Sequence, residues 1–265
     1  MKEWCFILDK TPNKGSWNMA VDDYLFQSLG EEPTTYLRFY QWERPTVSLG
    51  YSQKVSEVVD LDYCRKMGID IVRRITGGKL VLHHQEVTYS ICSSDSELFT
   101  QTLMDSYRLI SEALMRGLEK MGVESSLAAA TPSLYAKGRL PCFSHPAQNE
   151  IEVNDKKIIG SAQKRAGKKF VQHGSIPLEK DEELLKSISL LNQEEDSINM
   201  TSLAGALGRE VDFDWVVDHL QSGISEYFNI SLIPKDFSEE DKAAIQKIQT
   251  VRYDNPAWTF RVRLS

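Results

Sequence analysis

Residues Pro141–Ile176 read PCFSHPAQNEIEVNDKKIIGSAQKRAGKKFVQHGSI. Asn149–Val153 alternates apolar and polar side chains, the pattern of a half-buried strand. Asn154-Asp155 predicts a tight hairpin turn, because both residue types tolerate positive φ. Lys156–Arg165 then returns as a second strand. At its centre Gly160-Ser161-Ala162 is a run of small side chains, which lets a ligand or another backbone approach. Ala166-Gly167 predicts the next turn, and Lys168–Ile176 a third strand ending in His173-Gly174-Ser175. Cys142, Lys157, the small-residue floor and His173 thus belong to one small meander.

Outward from the meander, Glu3–Leu8, Thr35–Tyr40, Thr46–Leu49, Ile69–Arg73, Leu80–His83 and Val87–Cys92 read as strands. Helices are expected from the cap residues Gly15–Asn18 through about Leu29, and over Leu61–Met67 closed by Gly68. The longest is expected over Leu98–Met121, where Leu103, Tyr107, Ile110, Leu114 and Leu118 make one apolar stripe. A strand is expected near Val123–Ala128, and Ala129–Leu140 reads as a loop beside the site. Later helices are expected over Lys180–Ser187, Thr201–Leu207, Asp214–Tyr227 and Phe237–Thr250, the last capped by Ser238, with a strand at Ile230–Ile233. The fold class is α/β (α+β): a mixed, largely antiparallel sheet with packed helices. The chain is read as a single domain over 1–265, with a catalytic core over 33–231 and a C-terminal helical extension over 232–265.

The 265 residues are 41% apolar and 26% charged, enough for a sizeable buried core. The net charge of −7 argues against nucleic acid and against a membrane surface as partners. Met1–Lys10 lacks the apolar stretch of a secretory signal, and no run is long enough to span a membrane, so a cytoplasmic location is expected. The four cysteines, Cys5, Cys64, Cys92 and Cys142, form no CxxC pair. That fits free thiols and no metal site.

Arg73-Arg74-Ile75-Thr76-Gly77-Gly78-Lys79 sets two glycines among cations. Backbone N–H groups and positive side chains there suit a phosphate or carboxylate; an exposed hairpin turn with solvated charges is the plainer reading. Cys142 is the only cysteine in loop context, whereas Cys5 and Cys92 fall in strands and Cys64 in a helix, as small buried hydrophobes do. A thiolate nucleophile needs a nearby cation, and Lys157 lies across the predicted hairpin. His83 and His173 are binding candidates, while His84 is expected on the exposed face.

These segments together resemble the lipoate–protein ligase/octanoyltransferase family. The resemblance runs through Trp17–Asp22, Leu37–Tyr40, Ser48–Tyr51, Val72–His83, Glu86–Ser90, Lys157–Gln163 and His173–Ser175. It implies the fold shared with the biotin ligase catalytic domain. Pro141-Cys142-Phe143 looks like the cysteine-dependent octanoyltransferases. That resemblance implies transfer of octanoyl from octanoyl-acyl carrier protein, through a thioester on Cys142, to a lysine of a lipoyl domain. The acceptor would be a glycine cleavage H protein or a 2-oxoacid dehydrogenase E2. By the same resemblance, Cys142 and Lys157 are catalytic. Arg73, Arg74, Gly77, Gly78, His83, Gly160, Ser161, Ala162 and His173 bind substrate, with oxyanion donors near Gly77-Gly78 or at Cys142. No cofactor is expected, and the protein is expected to be a monomer. The rivals are an ATP-dependent lipoate–protein ligase, which would need ATP and lipoate, a lipoyl-domain amidotransferase, and a non-catalytic carrier-domain binder.

Overall fold

The computed structural model describes residues 1–99, 102–129, 149–190 and 198–261. The loop expected over Ala129–Leu140 lies outside them except for Ala129, and Cys142 lies outside them as well.

An eight-stranded sheet has the order β11-β1-β2-β6-β10-β9-β8-β7. Its strands are β1 (Lys2–Leu8), β2 (Thr35–Tyr40), β6 (Glu86–Ser93), β7 (Ser126–Leu127), β8 (Ile151–Val153), β9 (Lys156–Ala166), β10 (Lys169–Pro177) and β11 (Ile230–Pro234). β1 is parallel to both of its neighbours, and every pair from β2 to β7 is antiparallel. A second sheet has the order β4-β3-β5, from Asp70–Arg73, Thr46–Leu49 and Val81–His83. The expected mixed, largely antiparallel architecture is what the chain forms.

The helices are α1 (Gly15–Ser28), α2 (Val55–Val58), α3 (Leu61–Met67), α4 (Leu103–Lys120), α5 (Glu182–Ile188), α6 (Leu203–Leu207), α7 (Phe213–Phe228), α8 (Glu239–Ile248) and α9 (Pro256–Phe260). Alternation along the central strands sorts their side chains between two layers. Leu37, Phe39, Val87, Tyr89, Ile91 and Phe170 join Ile110, Leu114 and Leu118 of α4 and Val216, Leu220 and Ile224 of α7 in one core. Tyr40, Cys92 and Val171 point the other way and pack with Met19, Val21 and Leu25 of α1. β6 is buried along its whole length because both of its faces are covered.

The hairpin turn forms where expected: Asn154 and Asp155 have φ of 50° and 60°, both left-handed. Gly68 closes α3 at φ 67°, and Ser238 with Asp241 makes a capping box on α8. Other boundaries move for identifiable reasons. α1 begins at Gly15 with Lys14 as an N-cap that makes no side-chain bond. Asn18, expected among the cap residues, instead donates to Gln41 O (2.9 Å) and accepts from Arg38 (2.9 Å). The longest helix starts at Leu103, capped by Thr102, and Asp95 accepts from the backbone of Glu97 and Leu98 in a separate turn. The strand expected over Val123–Ala128 contracts to Ser126–Leu127. α2, α9 and a π-helical turn at Gln249–Tyr253 carry no periodic signal long enough to be read.

Candidate active site

Register builds the site. Tyr40, Thr88, Ser175 and Gly160 are opposed in turn across β2, β6, β10 and β9, and Arg38, Ser90, His173 and Ala162 form the adjacent row. Directly opposed residues share a face, so these rows lie on the α1 side of the sheet. A pocket sits there. Its floor is Gly160, Ala162, His173 and Ser175, and Met19 of α1, Arg74, and Val81 and His83 of β5 also line it. Gly160 and Ala162 leave the floor open because they carry little or no side chain. Ser161 also lines the pocket, but its hydroxyl hydrogen-bonds Tyr89 (2.7 Å), whose side chain belongs to the opposite core. The expected Gly-Ser-Ala floor is therefore a Gly-Ala floor for side chains, because residues alternate along a strand.

The two histidines are held by carboxylates. His173 Nδ1 lies 2.9 Å from Asp22 and its Nε2 2.7 Å from Thr76 Oγ1. Asp22 is 1% exposed and also receives Arg38 (2.9 Å) and the Tyr40 hydroxyl (3.1 Å). Burial pushes the Asp22 carboxyl upward, but the His173 hydrogen bond and the Arg38 charge outweigh it and hold the group below its ordinary value. Burial lowers His173, and Asp22 offsets this only in part. Neutral His173 then donates from Nδ1 to Asp22 and accepts from Thr76, which ties the residue before Gly77-Gly78 to the floor.

A pH dependence follows. A histidine whose folded pKa is lowered binds fewer protons folded than unfolded below its ordinary value of 6.5. Its contribution is complete above that value and is lost as pH falls below it. Stability from urea unfolding is expected to decline from pH 6.5 downward, with one proton setting a limit of ~1.4 kcal/mol per pH unit. His173→Asn should flatten that part of the profile. Parallel profiles for the two proteins would refute the assignment.

His83 places Nδ1 2.7 Å from Glu86 and Nε2 2.6 Å from Ser48 Oγ, and its ring stacks on Trp42 at 3.9 Å. Glu86 also accepts from the hydroxyls of Thr88 and Ser175. The Ser–His–carboxylate order imitates a hydrolytic triad, but Ser48 is fully buried, is absent from the pocket lining and accepts from Arg74 (2.6 Å). The chain of bonds therefore orients His83 and Arg74 and exposes no nucleophile. His84, expected on the exposed face, is partly buried and lies 3.3 Å from Asp181.

The adjacent arginines diverge. Arg74 lines the pocket and donates to Ser48 O (2.7 Å), Gly77 O (3.1 Å) and Lys79 O (2.9 Å), which shapes the glycine turn. Arg73, expected to bind substrate, is absent from the pocket lining. It donates to the carbonyls of Gly50 (2.8 Å), Gln53 (2.8 Å) and Thr259 (3.0 Å), and Trp258 Nε1 donates to its carbonyl (3.0 Å). It thus joins the 50–53 loop to α9. Gly77 and Gly78 are exposed, and Gly78 has φ +90°. A Cβ on Gly78 would lie 3.5 Å from Ala162 Cβ and 3.3 Å from Arg74 Nη2, so the turn borders the floor. Lys157 is fully buried and pairs with Glu150 at 2.6 Å.

Sequence reasoning missed Met19, Tyr40, Val81, Thr88, Gly174 and Ser175 in the lining, and Asp22, Ser48, Glu86 and Glu150 as the partners of its candidates. All of these except Glu150 lie in the segments that carry the family resemblance, which was the available signal.

The family model of the lipoyl protein ligase A/B catalytic domain matches residues 14–225. The chain belongs to this family. Among curated relatives, the octanoyltransferase LipM of Carboxydothermus hydrogenoformans is 36% identical, covering 98% of this chain and all of the relative. That of Clostridioides difficile is also 36% identical, over 94% of this chain and 95% of the relative. Among solved structures, lipoate-protein ligase A bound with ATP superposes with a TM-score of 0.84 at 22% identity, covering 97% of this chain and 98% of the other. Protein Ta0514 of T. acidophilum with bound lipoic acid gives 0.82 at 23%, covering 97% and 99%. At these identities the two structures establish the lipoate ligase fold for this family member. Among its described residues no helix is long and apolar enough to cross a membrane.

Proposed function

We propose that the protein is an acyltransferase of protein lipoylation that moves octanoyl from octanoyl-acyl carrier protein to a lysine of a lipoyl domain. The observation that carries this reading is the similarity, over nearly the whole chain, to relatives named octanoyltransferase LipM at 30–36% identity. The pocket supports it: Gly160 and Ala162 leave space beneath Met19 that suits an apolar chain, with the polar turn at Gly77-Gly78 beside it.

Cys142 is the proposed nucleophile, and it lies outside the described residues. Its thiolate attacks the donor thioester carbonyl; the bond to the carrier's sulfur breaks, and the carrier leaves as a thiol after taking up a proton. The neutral amine of the acceptor lysine then attacks the acyl-enzyme, the C–S bond breaks, an amide forms as the amine gives up one proton to solvent, and the Cys142 thiolate is released. Lys157 supplies the cation that favours the thiolate. Backbone N–H groups of the glycine turn are candidates to hold the developing oxyanion. The reaction takes no cofactor.

Intact mass after mixing with octanoyl-acyl carrier protein, without ATP, tests this. A covalent octanoyl adduct is expected, and it should discharge onto a lipoyl domain. Modification of the lipoyl domain only when ATP and lipoate are supplied would establish the ligase reading instead.

Gly78→Val is expected to damage donor use more than stability. Positive φ excludes a β-branched residue at a cost of roughly 1–3 kcal/mol. Relaxation would carry the turn away from Ala162. Donor kcat/KM should fall by on the order of 10³-fold, about 4 kcal/mol, while the strain lowers Tm by roughly 2–12 °C. Unchanged kcat/KM would separate the turn from the site.

A further inference from the structure

Lys157 enters the interior through its backbone. Its N–H donates to Asn199 O (3.1 Å) and its carbonyl accepts from Thr201 (2.9 Å), while Glu152 of β8 is its register partner on the other side. Neighbouring Lys156 is exposed, but the Lys157 side chain has no exposure at all. An ammonium in that position is costly unless a carboxylate meets it. Glu152, partly exposed and accepting from Ser126 (3.4 Å), is not the carboxylate in the ion pair.

Glu150 is. Its side chain is 5% exposed, and its Oε2 lies 2.6 Å from the Lys157 Nζ. The chain is built to bring it there. Asn149 takes φ +66°, Ala128 exchanges backbone hydrogen bonds with Asn149 and Glu150 (3.0 and 2.9 Å), and the β8–β9 register shifts between Ile151 and Glu152. Such an irregularity re-aims a side chain next to a functional site.

We propose that Glu150 is a positioning residue of the acyl transfer, holding Lys157 in place as an ammonium. The proposal rests on the reading in which Lys157 favours the Cys142 thiolate. Tyr89 also feels the Glu150 charge. Burial first, with Glu150 adding to it, pushes Tyr89 up to about 12, so this phenol stays neutral through the range of the test.

Two effects of Glu150 on a thiolate at Cys142 oppose each other. Acting directly, its negative charge disfavours the thiolate; acting through Lys157, it favours it. Glu150→Gln separates them in the full-length protein. Lysine ¹³Cε NMR, with the Lys157 signal assigned by Lys157→Arg, follows the ammonium, and iodoacetamide alkylation of Cys142 against pH follows the thiol. The expected result is a Lys157 titration moved down by about one unit or more, together with a Cys142 profile moved up. Superimposed Lys157 titrations, or a Cys142 profile moved down, would overturn the proposal. Should Glu150→Gln not fold, Glu150→Asp keeps the charge one methylene short, and smaller shifts of the same signs are expected; none overturns the proposal. Lys157→Ala is the control for the underlying reading. If it leaves Cys142 alkylation unmoved, the Lys157–Cys142 coupling fails, while the Lys157 titration still decides the part played by Glu150.

Discussion

Cys142→Ala is expected to carry no octanoyl after incubation with octanoyl-acyl carrier protein, and to transfer at a rate lower by on the order of 10⁴-fold or more. The other thiols offer no substitute. Cys92 is fully buried, and burial, with the Asp22 charge adding to it, pushes its thiol well above the ordinary value. Burial, then the charge of Asp60, raises Cys64 to about 11. Neither presents a thiolate at neutral pH, which is the species that attacks. Cys5 lies in β1, between β11 and β2, and is absent from the pocket lining. The measurements are intact mass for the adduct and gel-shift or mass analysis of a lipoyl domain for transfer. Wild-type transfer by Cys142→Ala, with or without an adduct elsewhere, would exclude the covalent route through this residue.

What the sequence made legible here is what depends on neighbours in the chain. The Asn154-Asp155 turn could be read because two adjacent residues must both accept positive φ, and few residue types do. The strands β9 and β10 could be read because alternation is local. The partners of the candidate residues could not be read this way. His173 meets Asp22 across 151 positions, and Glu86 reaches Ser175 across 89. No periodicity connects them; only the order β2-β6-β10-β9, with α1 laid over it, brings them together.

Arg73 and Arg74 illustrate a different limit. Both sit in the resemblance, and both are cations before two glycines. Arg73 ends β4 and Arg74 follows it, so their side chains leave the strand in opposite directions. Which of the two meets the pocket depends on whether β3 and β5 or α9 lies on a given side. Glu150 is a third case. A lone carboxylate beside a strand is ordinarily solvated, and nothing before it in the sequence announces that Asn149 will turn it inward. The resemblance supplied the residues of the pocket floor; the structure supplies the reasons that they hold their positions.

Asp22→Ala is expected to cost about 3–5 kcal/mol of stability, since three buried donors lose a partner at roughly 1–3 kcal/mol each. Three groups lose an acceptor at once: the Arg38 guanidinium, His173 Nδ1–H and the Tyr40 hydroxyl. Arg38 is fully buried and keeps its ion pair with Asp9, with Nη2 at 2.6 Å, and the oxygen of Asn18, so what it loses is one charged acceptor out of two. The loss at His173 reaches the site. Without Asp22 the ring has no carboxylate to fix its Nδ1–H tautomer, and its bond to Thr76, which tethers the glycine turn, weakens with it. Asp22→Asn separates charge from shape. It keeps an acceptor of similar size but removes the negative charge that Arg38 needs, so a smaller loss of about half is expected, with transfer reduced more than stability. Urea unfolding of the three proteins at pH 7.5, beside their transfer rates, measures both. A loss below ~1 kcal/mol for Asp22→Ala would mean that Asp9 and Asn18 suffice for Arg38, and that the carboxylate at the centre of this network is dispensable to the fold.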